Sequence, residues 1–221
     1  MIGTALIVFR LLRFCFKEFA SRPYFGEPAK FHRKESAEPY VWESYAEIGQ
    51  NVEALARGLC ALGLMAGDRI GLWSVNRRDW AISDEACAVG GFVSVPLYDT
   101  LGPDAVQYVI GHSEARAVVA SCDHIPQVCF SALFPFFVSI CPFFVVFVFR
   151  LTLLLHTATQ LLRLQPKYAH FQYLIAMDNR PADRALLESK RSSGEWKSVR
   201  GLSEIIAAGR TAPELQPSMH V

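Results

Sequence analysis

Net charge is almost missing from this 221-residue chain: 22 lysines and arginines stand against 21 aspartates and glutamates, a formal +1. Such a balance leaves no field to draw in nucleic acid or an acidic surface. The basic residues are scattered, with Arg10, Arg13 and Lys17 near the start, Arg77 and Arg78 in the middle and several beyond Arg180, as on a solvated face. Paired cysteines are missing too. The six (Cys15, Cys60, Cys87, Cys122, Cys129 and Cys141) form no C-x-x-C pair, which argues against a disulfide framework and for a reducing compartment. Cys15, Cys60 and Cys87 lie among apolar neighbours, where a free thiol behaves as a small hydrophobe. Cys122-x-His124 would be half a metal site, but no second pair stands at ligand spacing, so it reads as a strand end entering a loop. Internal repeats and nucleic-acid motifs are absent. No basic stretch precedes the apolar start Met1–Phe9, so no signal peptide is expected.

What is present is an alternation of helix and strand. Val8, Leu11, Leu12, Cys15, Phe16 and Phe19 recur at helical spacing; the helix they predict packs on the domain or, as the alternative, lies on a membrane surface. Ser44-x-x-Glu47 is a capping box, and Ile48, Val52, Leu55, Leu59 and Leu62 line the helix after it until Gly63 stops it. Gly67-Asp68 turns into a strand over 69–74. Asn76 is expected to cap a second helix, carrying Trp80, Ala86 and Cys87 to Gly90-Gly91. Phe92 to Leu97 reads as a buried strand, Pro103 as the first turn of a third helix with Val106, Val109 and Ile110 inward, and Ala117 to Ala120 as another buried strand. A short helix at Leu161–Gln165, a strand at Tyr173–Met177 and helices near Arg184–Lys190 and Leu202–Ala208 complete an α/β pattern with parallel pairing. The last residues read as a linker.

One stretch breaks the alternation. Residues 128–149 carry no charge, and 128–160 hold half of the sixteen phenylalanines. As a helix, 128–149 would span about 33 Å, enough to cross a hydrocarbon core, although Pro135 and Pro142 would kink it. The competing reading is a retained intron. Removing 128–160 joins Gln127 to Leu161 and restores strand, short helix, strand. The stretch is also rich in residues with pyrimidine-rich codons, and begins and ends with residues whose codons suit splice junctions. Both readings stay open.

Three ordered blocks carry the strongest signal: Gly67-Asp68-Arg69-Ile70-Gly71, then Asn76-Arg77-Arg78-Asp79-Trp80, then Val95-Pro96-Leu97-Tyr98-Asp99-Thr100-Leu101-Gly102. With Tyr40-Val41-Trp42-Glu43-Ser44-Tyr45 before them and Tyr108-Val109-Ile110 after, they resemble the opening of a long-chain acyl-CoA synthetase, an AMP-forming, adenylate-forming ligase. The resemblance runs from about Thr4 to Ile125 and resumes weakly from Leu161 to Pro217. It implies an α/β fold, the incomplete N-terminal portion of that ligase's large domain interrupted by the apolar insert: 1–127, then 128–160, then 161–221. For the full-length family member it implies fatty acid, ATP, magnesium and coenzyme A as substrates and cofactors. It also implies association with a membrane, at the cytosolic face of the endoplasmic reticulum or the peroxisome. The Ser/Thr/Gly-rich phosphate loop ending in Pro-Lys-Gly, the Tyr-Gly-x-Thr-Glu block and the catalytic lysine are not in the sequence. Ser192-Ser193-Gly194 is followed by Glu195-Trp196 and reads as a surface turn.

No residue of the chain is therefore assigned a catalytic, cofactor-binding or metal role, and the chain alone is expected to be inactive. The alternative is a non-catalytic α/β interaction protein anchored in a membrane through 128–155. Asp99 and Asp104 read as turn and cap residues around Thr100. His112-Ser113-Glu114 holds the letters of a triad but is one helix end, and Trp42, Trp73 and Trp80 read as packing groups.

Overall fold

The structure, a computed structural model, describes residues 2–28, 39–98, 100, 103–124, 170–177, 181–192 and 196–215. The membrane-or-intron question at 128–160, the short helix at 161–165 and the final linker lie outside these residues. Among the described residues no helix is long and apolar enough to cross a membrane.

Helix α1 (Ile2–Glu18) leads into a hairpin of β1 (Pro23–Pro28) and β2 (Tyr40–Ser44), then α2 (Tyr45–Ala61), β3 (Arg69–Trp73), α3 (Arg78–Gly90), β4 (Val93–Leu97), α4 (Pro103–His112) and β5 (Ala117–Ala120). After the undescribed stretch come β6 (Tyr173–Ala176), α5 (Pro181–Ser192), β7 (Ser198–Gly201) and α6 (Leu202–Thr211). The hairpin is antiparallel; the other five strands form one sheet in the order β4-β3-β5-β6-β7, every pair parallel.

Strand alternation divides the core into two layers. Ile70, Leu72, Ala117, Val119, Tyr173 and Ile175 face α2, α3 and α6. Trp73, Val118, Ala120, Leu174 and Ala176 face Val106 and Ile110 of α4 and Leu187 of α5. Helices thus cover both faces, the arrangement an all-parallel sheet requires.

The predicted caps are present where the local chemistry is complete. Ser44 Oγ accepts from the Glu47 amide at 3.3 Å, and Glu47 Oε2 accepts from the Ser44 amide at 2.8 Å. Gly63 (φ 97°) and Gly91 (φ 72°) end α2 and α3 in left-handed conformations that a side chain would strain. Two expectations change. Helix α3 is capped at Arg77 rather than Asn76, with no side-chain capping bond; its first turn is held instead by Arg78, whose Nη2 donates to Glu43 Oε1 at 2.7 Å and whose amide donates to Glu27 at 3.2 Å. Strand β4 is an edge, not a buried strand: Val93 is 48 % exposed, and Pro96 fits because an edge strand can do without one donor.

The hairpin is fixed to α3 by a second polar contact, in which the Tyr24 hydroxyl donates to Glu85 Oε1. Burial holds the Glu85 carboxyl above its ordinary 4.5, with Asp84 adding to the rise and the Tyr24 bond opposing it. A raised folded-state pKa means the folded protein binds this proton more tightly than the unfolded chain. Its stabilising contribution is therefore full below the ordinary value and is lost as pH rises through the raised one. Glu85→Gln is expected to flatten that decline. Unfolding free energies from urea titrations between about pH 4 and pH 7 that keep the same slope in the variant would disprove the role.

Candidate functional site at the carboxyl ends of the sheet

Strand β4 is added on one side of β3, whereas β5, β6 and β7 are added on the other. That reversal between β3 and β5 is a topological switch point, and in open α/β sheets ligands bind in the crevice beyond the carboxyl ends of the strands there. At this point Trp73 closes β3, fully buried, and its ring stacks on the His124 imidazole with centroids 4.7 Å apart and planes 2° from parallel. The turn after β5 sets that stack. The Ser121 amide donates to the Trp73 carbonyl at 3.0 Å, and the His124 amide donates to the Ser121 carbonyl at 3.0 Å.

Beside it the Ser74 hydroxyl is buried without a hydrogen-bond partner, an uncommon condition that marks a place for a ligand group or water. Tyr98 and Thr100, after β4, are exposed at the same end of the sheet. The rim therefore offers the exposed Tyr98 ring, the part-buried His124 imidazole backed by the buried Trp73, and hydroxyls. Among the described residues no three His, Cys, Asp or Glu side chains converge as metal ligands, and this donor set does not fit a magnesium triphosphate.

The sequence blocks fall mostly elsewhere. Gly67-Asp68-Arg69 enters β3 at its amino end, away from the rim. Asp68 Oδ2 accepts from the Met65 amide at 2.7 Å and from Arg116 at 2.5 Å, and Arg69 pairs with Glu114 at 3.2 Å. The block is architectural: it fixes the turn and ties the entries of β3 and β5. Arg77 and Arg78 both pair with Asp79. Among the described residues of the third block, Leu97-Tyr98 and Thr100 reach the rim; Asp99, Leu101, Gly102 and the side chain of Asp104 lie outside what is described.

His112, Ser113 and Glu114 have separate contacts. His112 stacks on Tyr108, Ser113 Oγ donates to the Ile110 carbonyl, and Glu114 pairs with Arg69. Trp73 is core, Trp80 packs against the core, and Trp42 is 60 % exposed on the hairpin. Cys122 and His124 are, as read, in the turn leaving β5. The Trp73–His124 stack and the buried Ser74 hydroxyl were not legible in the sequence, because only the pairing of β3 with β5 brings 73 and 124 together. A hollow of about 230 Å³ beside α2 and α6, lined by Gly58, Leu62, Arg200, Glu204 and Ile205, is a separate feature.

With this geometry in place, the comparison with known proteins is decisive. The family of AMP-binding enzymes matches residues 24–201. The chain belongs to that family. Its fold agrees with the adenylation domain of a carboxylate reductase from Mycobacterium chelonae at a TM-score of 0.69 and 22 % identity, over 96 % of this chain and 30 % of that one. The A-PCP didomain of a carboxylic acid reductase from Segniliparus rugosus, in complex with AMP, agrees at 0.68 and 18 % identity, over 95 % and 27 %. The chain is 47 % identical over 79 residues to Long chain acyl-CoA synthetase 7, peroxisomal, of Arabidopsis thaliana, covering 36 % of this chain and 11 % of that protein. It is 42 % identical over 80 residues to Long chain acyl-CoA synthetase 1 of the same organism, covering 36 % and 12 %. The fold is thus that of part of the adenylation domains of these reductases, and the chain spans about a tenth of the length of the curated relatives it matches.

Proposed function

We propose that residues 1–127 and 161–221 are two stretches of one AMP-binding α/β unit, separated by an insert at 128–160. The protein to which the unit belongs converts a long-chain fatty acid and ATP into an acyl-adenylate and pyrophosphate, then passes the acyl group to coenzyme A. The observation that carries this reading is the 47 % identity over 79 residues to a long chain acyl-CoA synthetase, within a family match over 24–201. The word peroxisomal in the names of two relatives supports the peroxisome as its compartment.

These 221 residues by themselves are inactive in this reading. Adenylation requires preorganised donors around a triphosphate, and the sequence contains no phosphate loop. Two measurements test the proposal. The purified chain with magnesium, ATP, palmitate and coenzyme A should release no pyrophosphate above a boiled control. A chimera of the Arabidopsis thaliana peroxisomal relative, with its matched 79 residues replaced by those of this chain, should make palmitoyl-CoA within about tenfold of the parent, a rate change of about 1.4 kcal/mol in barrier. Turnover by the chain alone overturns the inactivity. A folded chimera without turnover overturns the assignment.

A further inference from the structure

The hollow of about 230 Å³ beside α2 and α6 is walled by apolar groups, among them Gly58, Leu62, Ile205 and Ala208, and carries two charged ones, Arg200 and Glu204. Strand register puts Ser198 opposite Tyr173 and Arg200 opposite Ile175. Partners across a ladder share a face of the sheet, so Arg200 is on the face that Tyr173 and Ile175 turn toward α2 and α6. Tyr173 opens β6 and Lys197 immediately precedes β7. These groups therefore gather toward the amino ends of the strands, away from the switch-point rim.

A second observation points to a ligand. Tyr173 is 1 % exposed, and its hydroxyl is buried without a hydrogen-bond partner, a condition that calls for a ligand group or a water. That hydroxyl lies at the end of α2, next to the hollow. A Cβ on Gly63, one residue past Leu62, would be 3.3 Å from Tyr173 Oη and 4.0 Å from Lys197 Nζ, and the Lys197 ammonium is 5.3 Å from the Tyr173 ring centre. The charges nearby do not cancel. Arg191, Lys197 and Arg200 stand against Glu188 and Glu204. Glu204 already accepts from Arg191 Nη2, whereas Arg200 stays 4.0 Å from Glu204, too far for a hydrogen bond. The Arg200 fork is thus left to meet another acceptor.

We propose that this hollow binds a small organic acid with a short apolar tail. Its carboxylate accepts from Arg200 and from the Tyr173 hydroxyl, with Lys197 adding charge, and its tail lies against Leu62, Ile205 and Ala208. Guanidinium forks match carboxylates in shape and charge, and apolar walls with a few polar groups are the common make-up of ligand sites. The hollow is smaller than the roughly 300–1,000 Å³ that drug-sized ligands occupy, which selects a short tail. A cationic ligand would face three basic side chains, and a neutral one would leave Arg200 unmet. The site is distinct from the rim at the carboxyl ends of the sheet and does not depend on the ligase reading.

The test titrates hexanoate into the full chain, followed by saturation-transfer NMR, with hexylamine and inorganic phosphate as comparison probes. Hexanoate should bind saturably, and each of the other two should bind at least about tenfold more weakly, one for its charge and one for lack of a tail. Arg200→Gln should weaken hexanoate at least about tenfold, the loss of a charge-assisted hydrogen bond. Ala208→Phe, which fills the hollow from an exposed position of α6, should abolish binding. Tyr173→Phe removes only the hydroxyl. It should weaken hexanoate about threefold or more while the unfolding midpoint stays the same or rises, because an unpartnered buried hydroxyl costs stability in the free protein. Circular dichroism equal to the parent's establishes that each variant is folded, and residues 128–160 are common to all of them. No saturable binding by the folded parent, hexylamine or phosphate binding as tightly as hexanoate, or hexanoate affinity unchanged in both Arg200→Gln and Ala208→Phe would each overturn the proposal.

Discussion

Gly209→Ala should destabilise the protein by about 2–3 kcal/mol, the cost of an overpacked contact that no rotamer relieves, although alanine is the better helix former. A Cβ at 209 would lie 1.8 Å from the Ala54 carbonyl oxygen, 2.7 Å from its carbon and 2.8 Å from the Gly58 nitrogen. All three are backbone atoms, so no side-chain rotation creates room; α6 would have to move off α2. That movement would expose Leu55, Leu59, Leu202 and Ile205, which are now buried. Intrinsic propensity alone would make the substitution stabilising by about 1 kcal/mol, so the sign of the result separates the two effects. Gly58→Ala meets the Ile205 carbonyl oxygen at 2.3 Å and should act similarly. Because both variants wedge the same seam, the double variant should cost less than the sum. Ala207→Gly, on the exposed side of α6, serves as the control for propensity, at about 1 kcal/mol. Urea midpoints followed by circular dichroism decide the matter, and a higher midpoint for Gly209→Ala would remove the close-packed seam from the account.

How much of this was legible in the sequence depended on whether the signal was local. Ser44 and Glu47 complete each other's hydrogen bonds within one turn, and Ala117 to Ala120 is apolar throughout because both of its sides are covered. Those elements were read correctly. The hairpin was not: β1 reads Pro-Tyr-Phe-Gly-Glu-Pro, with proline at both ends and little alternation. It is held by partners distant in sequence, Tyr24 on Glu85 and Arg78 on Glu43. Strand β7, Ser-Val-Arg-Gly, carries one buried apolar side chain, Val199, and pairs because β6 offers an open edge. Phe92 to Leu97 looked buried because its residues are β-branched and apolar, yet its position at the edge is decided by connectivity, which composition does not encode. The candidate site was less legible still. The ordered blocks that reveal the family mostly secure turns and helix starts, whereas the rim is assembled from Trp73, Ser74, Ser121 and His124, whose meaning appears only when β3 and β5 pair.

Deleting residues 128–160 is the second large expected effect: the shortened chain should remain folded, become more soluble, and keep the β5–β6 ladder. The two strands are parallel neighbours, Ala117 opposite Tyr173 and Ala120 opposite Ala176. A parallel crossover needs about a dozen residues. The connection runs from Ser121 to Gln172, 52 residues, and deletion of 33 leaves 19, which still satisfies that minimum. Shortening the loop by this factor lowers its closure entropy by about 0.9 kcal/mol, a small gain in the right direction. The larger consequence is colloidal, since the deletion removes a sequence without charge from 128 to 149 and half of the phenylalanines, the composition that drives aggregation during folding. Sedimentation of the two proteins at equal concentration gives the first readout. Amide-exchange protection at Val118 and Ile175, on the two paired strands, gives the second. If the shortened chain is soluble but those amides exchange freely, residues 128–160 are part of what holds β6 against β5, and the division into 1–127 and 161–221 around an insert fails.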